Sequence, residues 1–212
     1  MKERLRKHYI PIATLVIISG LTFFIYRGKR DAITFITQTS GYISLVILAV
    51  SLIIGSLNLL LKYINPISTY LRRDIGISGG ILAVVHSITG LFVHLRGKMW
   101  LYFLNDAKHV RLDNFGLANY AGLISALIII LLLITSNDYL LKMLNPQKWK
   151  NVQRLSYLMF ILIAIHCYFY RIGKDNLNIF FWFYIPLFTT VLILQIVGVY
   201  LNLSFRSSHL NT

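Results

Sequence analysis

Six stretches of nearly unbroken apolar residues divide the chain, at roughly 10–26, 40–61, 75–95, 117–134, 155–170 and 178–200. Each approaches the ~20 residues that cross a hydrocarbon core ~30 Å thick at 1.5 Å per residue. The runs are continuous rather than alternating, so they predict helices and not the strands of a barrel. The connections are short. The longest, 96–116 and 135–154, leave no room for a second folded unit. We therefore expect an all-α membrane protein, a six-transmembrane-helix bundle, with residues 1–212 as a single transmembrane domain. No internal repeat or low-complexity segment is evident.

Composition agrees with that pattern. The 212 residues are 57% hydrophobic and only 13% charged, about half the charged share of a soluble domain. The net charge of +14 would suggest nucleic acid on a soluble protein. Here the basic residues lie in short loops, where they set topology and touch anionic membrane lipid, so no nucleic-acid partner is expected. The N-terminal segment has a basic start and the apolar stretch Ile10–Tyr26, followed by Arg27, Lys29 and Arg30 and by no small-residue cleavage site. It reads as an uncleaved first transmembrane helix with Pro11 in its first turn. With the N-terminus cytoplasmic, 12 of the 21 Lys and Arg face the cytoplasm, Lys62 among them. The cluster Lys2, Arg4, Arg6 and Lys7 favours that orientation, which also places the C-terminus inside. The single cysteine, Cys167, permits no intrachain disulfide. The run "GISGG" at Gly76–Gly80 is not a nucleotide-binding loop, because it follows no strand and opens a membrane helix.

Six histidines remain to be placed. His8, His109 and His209 fall in tails or a loop and read as solvated. His86 and His166 differ: each lies 11 residues after the start of its apolar block, in two blocks running in the same direction. That offset sets both imidazoles ~16 Å above the cytoplasmic edge, near mid-membrane. A polar group in hydrocarbon is costly, and two at one depth can share a ligand. Gly79 and Gly90 lie within 40° of His86 on an ideal helix. They would either clear space for a flat macrocycle or mark close helix packing. Leu155, Met159, Leu162 and Tyr170 share the face of His166 and would form an apolar wall. Haem suits the pair better than zinc does. Zinc wants four protein donors, whereas the porphyrin supplies four nitrogens and leaves only axial positions. Arg171, five residues beyond His166, would reach a propionate; Arg96 and Lys174 are longer-range candidates, and Arg72 and Arg73 are too far. His94, eight residues after His86, is expected ~12 Å further out at the interface.

"RRDIGISGGILAVVHSITG" (Arg72–Gly90) and "WKNVQRLSYLMFILIAIHCYF" (Trp149–Phe169) resemble two segments of ferric-reductase-like transmembrane proteins, most of all the MsrQ (formerly YedZ) haem-binding membrane subunits of the periplasmic methionine sulfoxide reductase system. Arg72, Arg73, Gly76 and His86 match the first motif; Trp149, Tyr157 and His166 match the second. The resemblance covers about residues 40–170 and implies a haem b on His86 and His166. Many relatives carry a histidine 13 residues before the second ligand, where this chain has Gln153; one haem is expected accordingly.

The expected function is that of a haem b membrane electron-transfer protein in a bacterial inner membrane. Its donor would be a cytoplasmic-side flavin reductase or quinol, and FMN is a further candidate cofactor. The acceptor would be an outer-side periplasmic reductase subunit or ferric iron. Two alternatives are a small-molecule or proton-coupled transporter using the intramembrane histidines, and a haem-free assembly partner. No Asp or Glu is visible within the apolar blocks, which counts against proton coupling.

Overall fold

The computed structural model describes residues 2–27, 31–61, 69–95, 98–172 and 178–210. These hold the helices α1 (Lys2–Arg4), α2 (Ile10–Arg27), α3 (Ala32–Leu60), α4 (Thr69–Gly90), α5 (Asn114–Thr135), α6 (Asp138–Met143), α7 (Pro146–Gln153), α8 (Leu155–Ile172) and α9 (Ile185–Leu210). Among the described residues five helical stretches are long and apolar enough to cross a membrane: Leu5–Tyr26, Ala32–Leu60, Asn114–Thr135, Gln147–Ile172 and Phe180–Leu201. The sixth long helix, α4, equals α5 in length at 22 residues but opens on Arg72, Arg73 and Asp74. The protein is an all-α membrane protein, as the apolar runs predict.

Two of the long helices carry a π-helical turn, Leu5–Tyr9 before α2 and Phe180–Tyr184 before α9. Each is followed directly by Ile-Pro: Ile10–Pro11 and Ile185–Pro186. Proline lacks the N–H and crowds the carbonyl four residues back. The ladder slips by one residue to absorb this, and Ile10 and Ile185 donate to the carbonyls of Leu5 and Phe180.

The beginning of α4 runs deeper than its apolar block indicates. Asp74 is fully buried and accepts hydrogen bonds from Arg4, from Nδ1 of His8 at 2.6 Å and from the Tyr9 hydroxyl at 2.9 Å. Arg73 and Arg4 both pair with Asp138 at the start of α6. A buried charge is tolerable only when paired and hydrogen-bonded. His8 is thus part of an ion cluster, not a solvated tail residue, and a carboxylate does lie within a long helix.

Helix α3 packs along α4 and α9, and α5 along α8. Leu45, Ala49 and Leu52 of α3 meet Phe160 of α8 and Tyr184 and Val191 beside and on α9. Leu48 of α3, Ala83 of α4, Ile129 of α5 and Met159 of α8 form a second buried cluster. Helix α2 is peripheral: it touches α3 through Phe23 and Phe24 against Phe35 and Tyr42 and has no fully buried residue among those described.

Candidate functional site

The imidazoles of His86 and His166 meet inside the bundle, ring centres 6.3 Å apart and planes at 82°. Nδ1 of His86 donates to the carbonyl of Thr37 on α3 at 2.8 Å, and Nδ1 of His166 donates to the carbonyl of Ala118 on α5 at 2.8 Å. A carbonyl only accepts, so each proton is on Nδ1 and each Nε2 keeps its lone pair. This is the arrangement that orients a metal-ligating imidazole.

The two rings sit on matching seats. A Cβ at Gly41 would stand 2.6 Å from Nδ1 of His86, and one at Gly122 would stand 2.8 Å from Nδ1 of His166. Each glycine lies four residues after the accepting carbonyl, so each ring crosses one turn of a neighbouring helix where no side chain intervenes. Ser44 and Ser125, three residues further, bond back to the carbonyls of Gly41 and Gly122 at 2.9 and 2.8 Å. The α3–α4 pair and the α5–α8 pair are therefore two copies of one device, and the bundle contains an internal repeat. Its trace in sequence is faint: "SGYIS" (Ser40–Ser44) against "AGLIS" (Ala121–Ser125), and "ILAVVH" (Ile81–His86) against "ILIAIH" (Ile161–His166).

The pair lies nearer one end of its helices. His86 lies four residues before the end of α4 and His166 six before the end of α8, which is ~6–9 Å from that end of the bundle at 1.5 Å per residue. Thr69, where α4 begins, is ~26 Å away along the helix. Helix α4 starts six residues before the apolar block, in the ion cluster.

Both histidines line a cavity of about 640 Å³, within the range of ligand and cofactor sites. Gly41, Gly90, Gly122, Cys167, Tyr170 and Arg171 line it too. Gly79 does not. A Cβ there would press on Ile47 and Leu48 of α3 at 3.0 Å, so Gly79 serves helix packing and not clearance. Of the expected apolar wall only Tyr170 faces the cavity; Met159 is buried in the packed cluster. Arg171 bonds the Tyr42 hydroxyl and lies over the rings of Tyr42 and Tyr184, 5.9 and 5.7 Å from their centres. It has no carboxylate partner among the described residues. Arg96 and Lys174, like Lys62, lie outside the described residues.

His94 is not on α4, which ends at Gly90. It sits in the following turn, exposed, with Nε2 3.0 Å from the Tyr170 hydroxyl and its ring 6.2 Å from Phe115. The segment 98–113 folds over this end. Tyr102 is buried and donates to the carbonyl of Gly90 at 3.0 Å. Arg111 reaches the carbonyl of Leu101 and the carboxylate of Asp113, both at 2.9 Å. At the opposite end Gln153 bonds the hydroxyls of Thr135 and Ser136.

A haem suits these groups. Two imidazoles on one metal, with bonds of about 2 Å and each nitrogen about 1 Å from its ring centre, place the ring centres about 6 Å apart. Among the described residues no group of three His, Cys, Asp or Glu could hold a bare metal ion. A metal held by this pair would take its remaining ligands from the group that carries it, as a porphyrin provides them.

A comparison with curated proteins returned no match. A comparison with protein families matched residues 40–164 to the ferric reductase like transmembrane component. That stretch takes in most of α3, all of α4 and α5, and α8 nearly to His166. With more than half of its length matched, the chain belongs to the ferric-reductase-like transmembrane family.

Proposed function

We propose that the protein is a haem b membrane electron-transfer protein, and that His86 and His166 would hold the haem. The observation that carries this reading is the pair of Nδ1–H bonds to Thr37 and Ala118, which leaves both Nε2 atoms for one ligand between rings 6.3 Å apart. Bound there, the haem would supply one-electron chemistry. The chain's own share is to fix both rings, keep the site apolar and offer Arg171 to an anionic propionate. Gly90 leaves room beside His86.

The proposed setting is a bacterial inner membrane with both termini cytoplasmic, which puts segment 91–113 outside. On that orientation the pair lies nearer the outer ends of α4 and α8 than their cytoplasmic ends. This placing favours a donor met within the membrane, such as a quinol, over a flavoprotein on the far face. Were FMN or a flavin reductase to bind, the exposed Lys148 and Lys150 of α7 would offer its phosphate positive charge. The acceptor would be an outer-side oxidant: a periplasmic reductase subunit, as the MsrQ resemblance implies, or ferric iron. Transport gains no support from the buried carboxylate, since Asp74 is bound by Arg4, His8 and Tyr9 and lies outside the cavity lining. The test is an absorption spectrum of purified protein, oxidised and reduced. A low-spin bis-histidine haem is expected, lost in His86→Ala and in His166→Ala. A folded, colourless protein from haem-replete cells would refute the reading.

A further inference from the structure

The two halves of the repeat match at their ligands and diverge one turn further on. Four residues after His86 the chain has Gly90; four after His166 it has Tyr170. The Tyr170 ring stacks on His166, centres 5.8 Å apart and planes at 21°. Its hydroxyl meets Nε2 of His94 at 3.0 Å, and His94 is exposed at the end of the bundle nearest the pair. His86, by contrast, makes its one ring contact among the described residues with His166.

We infer that Tyr170 and His94 form the outward electronic contact of the histidine pair, and that a one-electron acceptor docks over His94 rather than over α4. The inference rests on the haem reading and assigns it a direction. Electron tunnelling decays exponentially with distance and less steeply through bonded and contacting atoms than across a gap. The line from His166 through the stacked Tyr170 ring and its hydrogen bond to His94 is continuous contact, and it begins on a metal-facing imidazole and ends in solvent. No bond forms or breaks along it. The reduced site loses one electron, the acceptor gains it, and Tyr170 and His94 end as they began. The same two residues also line the cavity, so a steric lid is the competing role. The two roles predict opposite changes when the ring is removed. A lid removed admits a small oxidant faster; a contact removed slows it.

The experiment is stopped-flow reoxidation of the reduced holoprotein by ferricyanide. Tyr170→Leu is expected to slow reoxidation by at least an order of magnitude after correction for its own measured midpoint potential, with the low-spin spectrum retained because His86 and His166 are both kept. Tyr170→Phe, which keeps the ring and loses the hydroxyl, is expected to fall between Tyr170→Leu and the parent. His94→Leu should also slow it. In ¹⁵N-histidine NMR of the same protein, Tyr170→Phe should move the Nε2 resonance of His94, which reads the contact without any turnover. An unchanged or faster rate in Tyr170→Leu with an intact spectrum overturns this inference alone. Folded protein that takes up no haem overturns the reading beneath it.

Discussion

A methyl group at Gly122 would stand 2.8 Å from Nδ1 of His166, as one at Gly41 would stand 2.6 Å from Nδ1 of His86. Real carbon–nitrogen contacts do not come so close, so alanine at either position must push the imidazole off its carbonyl. Gly41→Ala and Gly122→Ala are expected to convert the low-spin spectrum to a mixed or five-coordinate one and to weaken haem retention. Overpacking also costs about 1–3 kcal/mol. Absorption and retention on desalting check this; a wild-type spectrum in both variants would show that the seats are not needed.

Gly79 supplies the contrast. Its missing side chain lets α4 approach Ile47 and Leu48 of α3. Gly79→Val should lower the melting temperature, at a cost of about 1–3 kcal/mol, while purified protein keeps the parent spectrum. A spectral change as large as that of Gly41→Ala would return Gly79 to the cavity.

Arg171 faces the cavity between Tyr42 and Tyr184. Arg171→Leu removes the charge and is expected to weaken haem binding about tenfold or more, since a charge-assisted hydrogen bond is worth about 1.5–3 kcal/mol. Arg171→Lys should recover part of it. Haem titration into the apoprotein measures both, and equal affinities for all three proteins would exclude a propionate contact.

Asp74 ties the N-terminal segment to α4 through Arg4, His8 and Tyr9. Asp74→Ala strands those donors, and removing one partner of a buried pair costs about 3–5 kcal/mol. The N-terminal segment should then become sensitive to limited proteolysis while the haem spectrum, far from this end, persists. Protease resistance equal to the parent's would contradict the clamp.

Asp113 caps α5 by accepting from the N–H of Gly116 at 2.8 Å. The Arg111 guanidinium first, then that N–H, hold its carboxyl below the ordinary value against a burial that acts the other way. A carboxyl lowered in the folded state stabilises above its unfolded value and loses that contribution as pH falls through the folded one. Segment 98–113 should therefore keep its amide protection at neutral pH and lose it in acid, below about pH 4. Asp113→Ala should lose about 1 kcal/mol of cap at neutral pH, a deficit that shrinks in acid as the parent loses the same contribution, and Asp113→Asn less. Hydrogen exchange checks the profile; protection flat from pH 7 to pH 3 would reject it.

The apolar runs told of the long helices directly, because a membrane helix must be apolar over most of its length. They failed where α4 begins. A polar turn containing Arg72, Arg73 and Asp74 reads as loop until the partners that neutralise it, Arg4, His8 and Asp138, are brought in from elsewhere in the chain. Wheel angles placed Gly79 near His86 on the same helix, yet angles on one helix do not tell which neighbour stands opposite. The signal for Gly41 and Gly122 was present in the paired runs "SGYIS" and "AGLIS", five residues each with three in common.

The sequence by itself determined that this chain lies in a membrane as long helices and that His86 and His166 are its two histidines deep in apolar blocks, because hydrocarbon penalises every polar group that lacks a purpose. Only the tertiary structure decided how those histidines are held and where. Their carbonyl partners and glycine seats lie on other helices, 44–49 residues away. Their position along the helices depends on where α4 begins and ends. Both are settled by packing between helices and by burial of paired charge, which no single segment encodes.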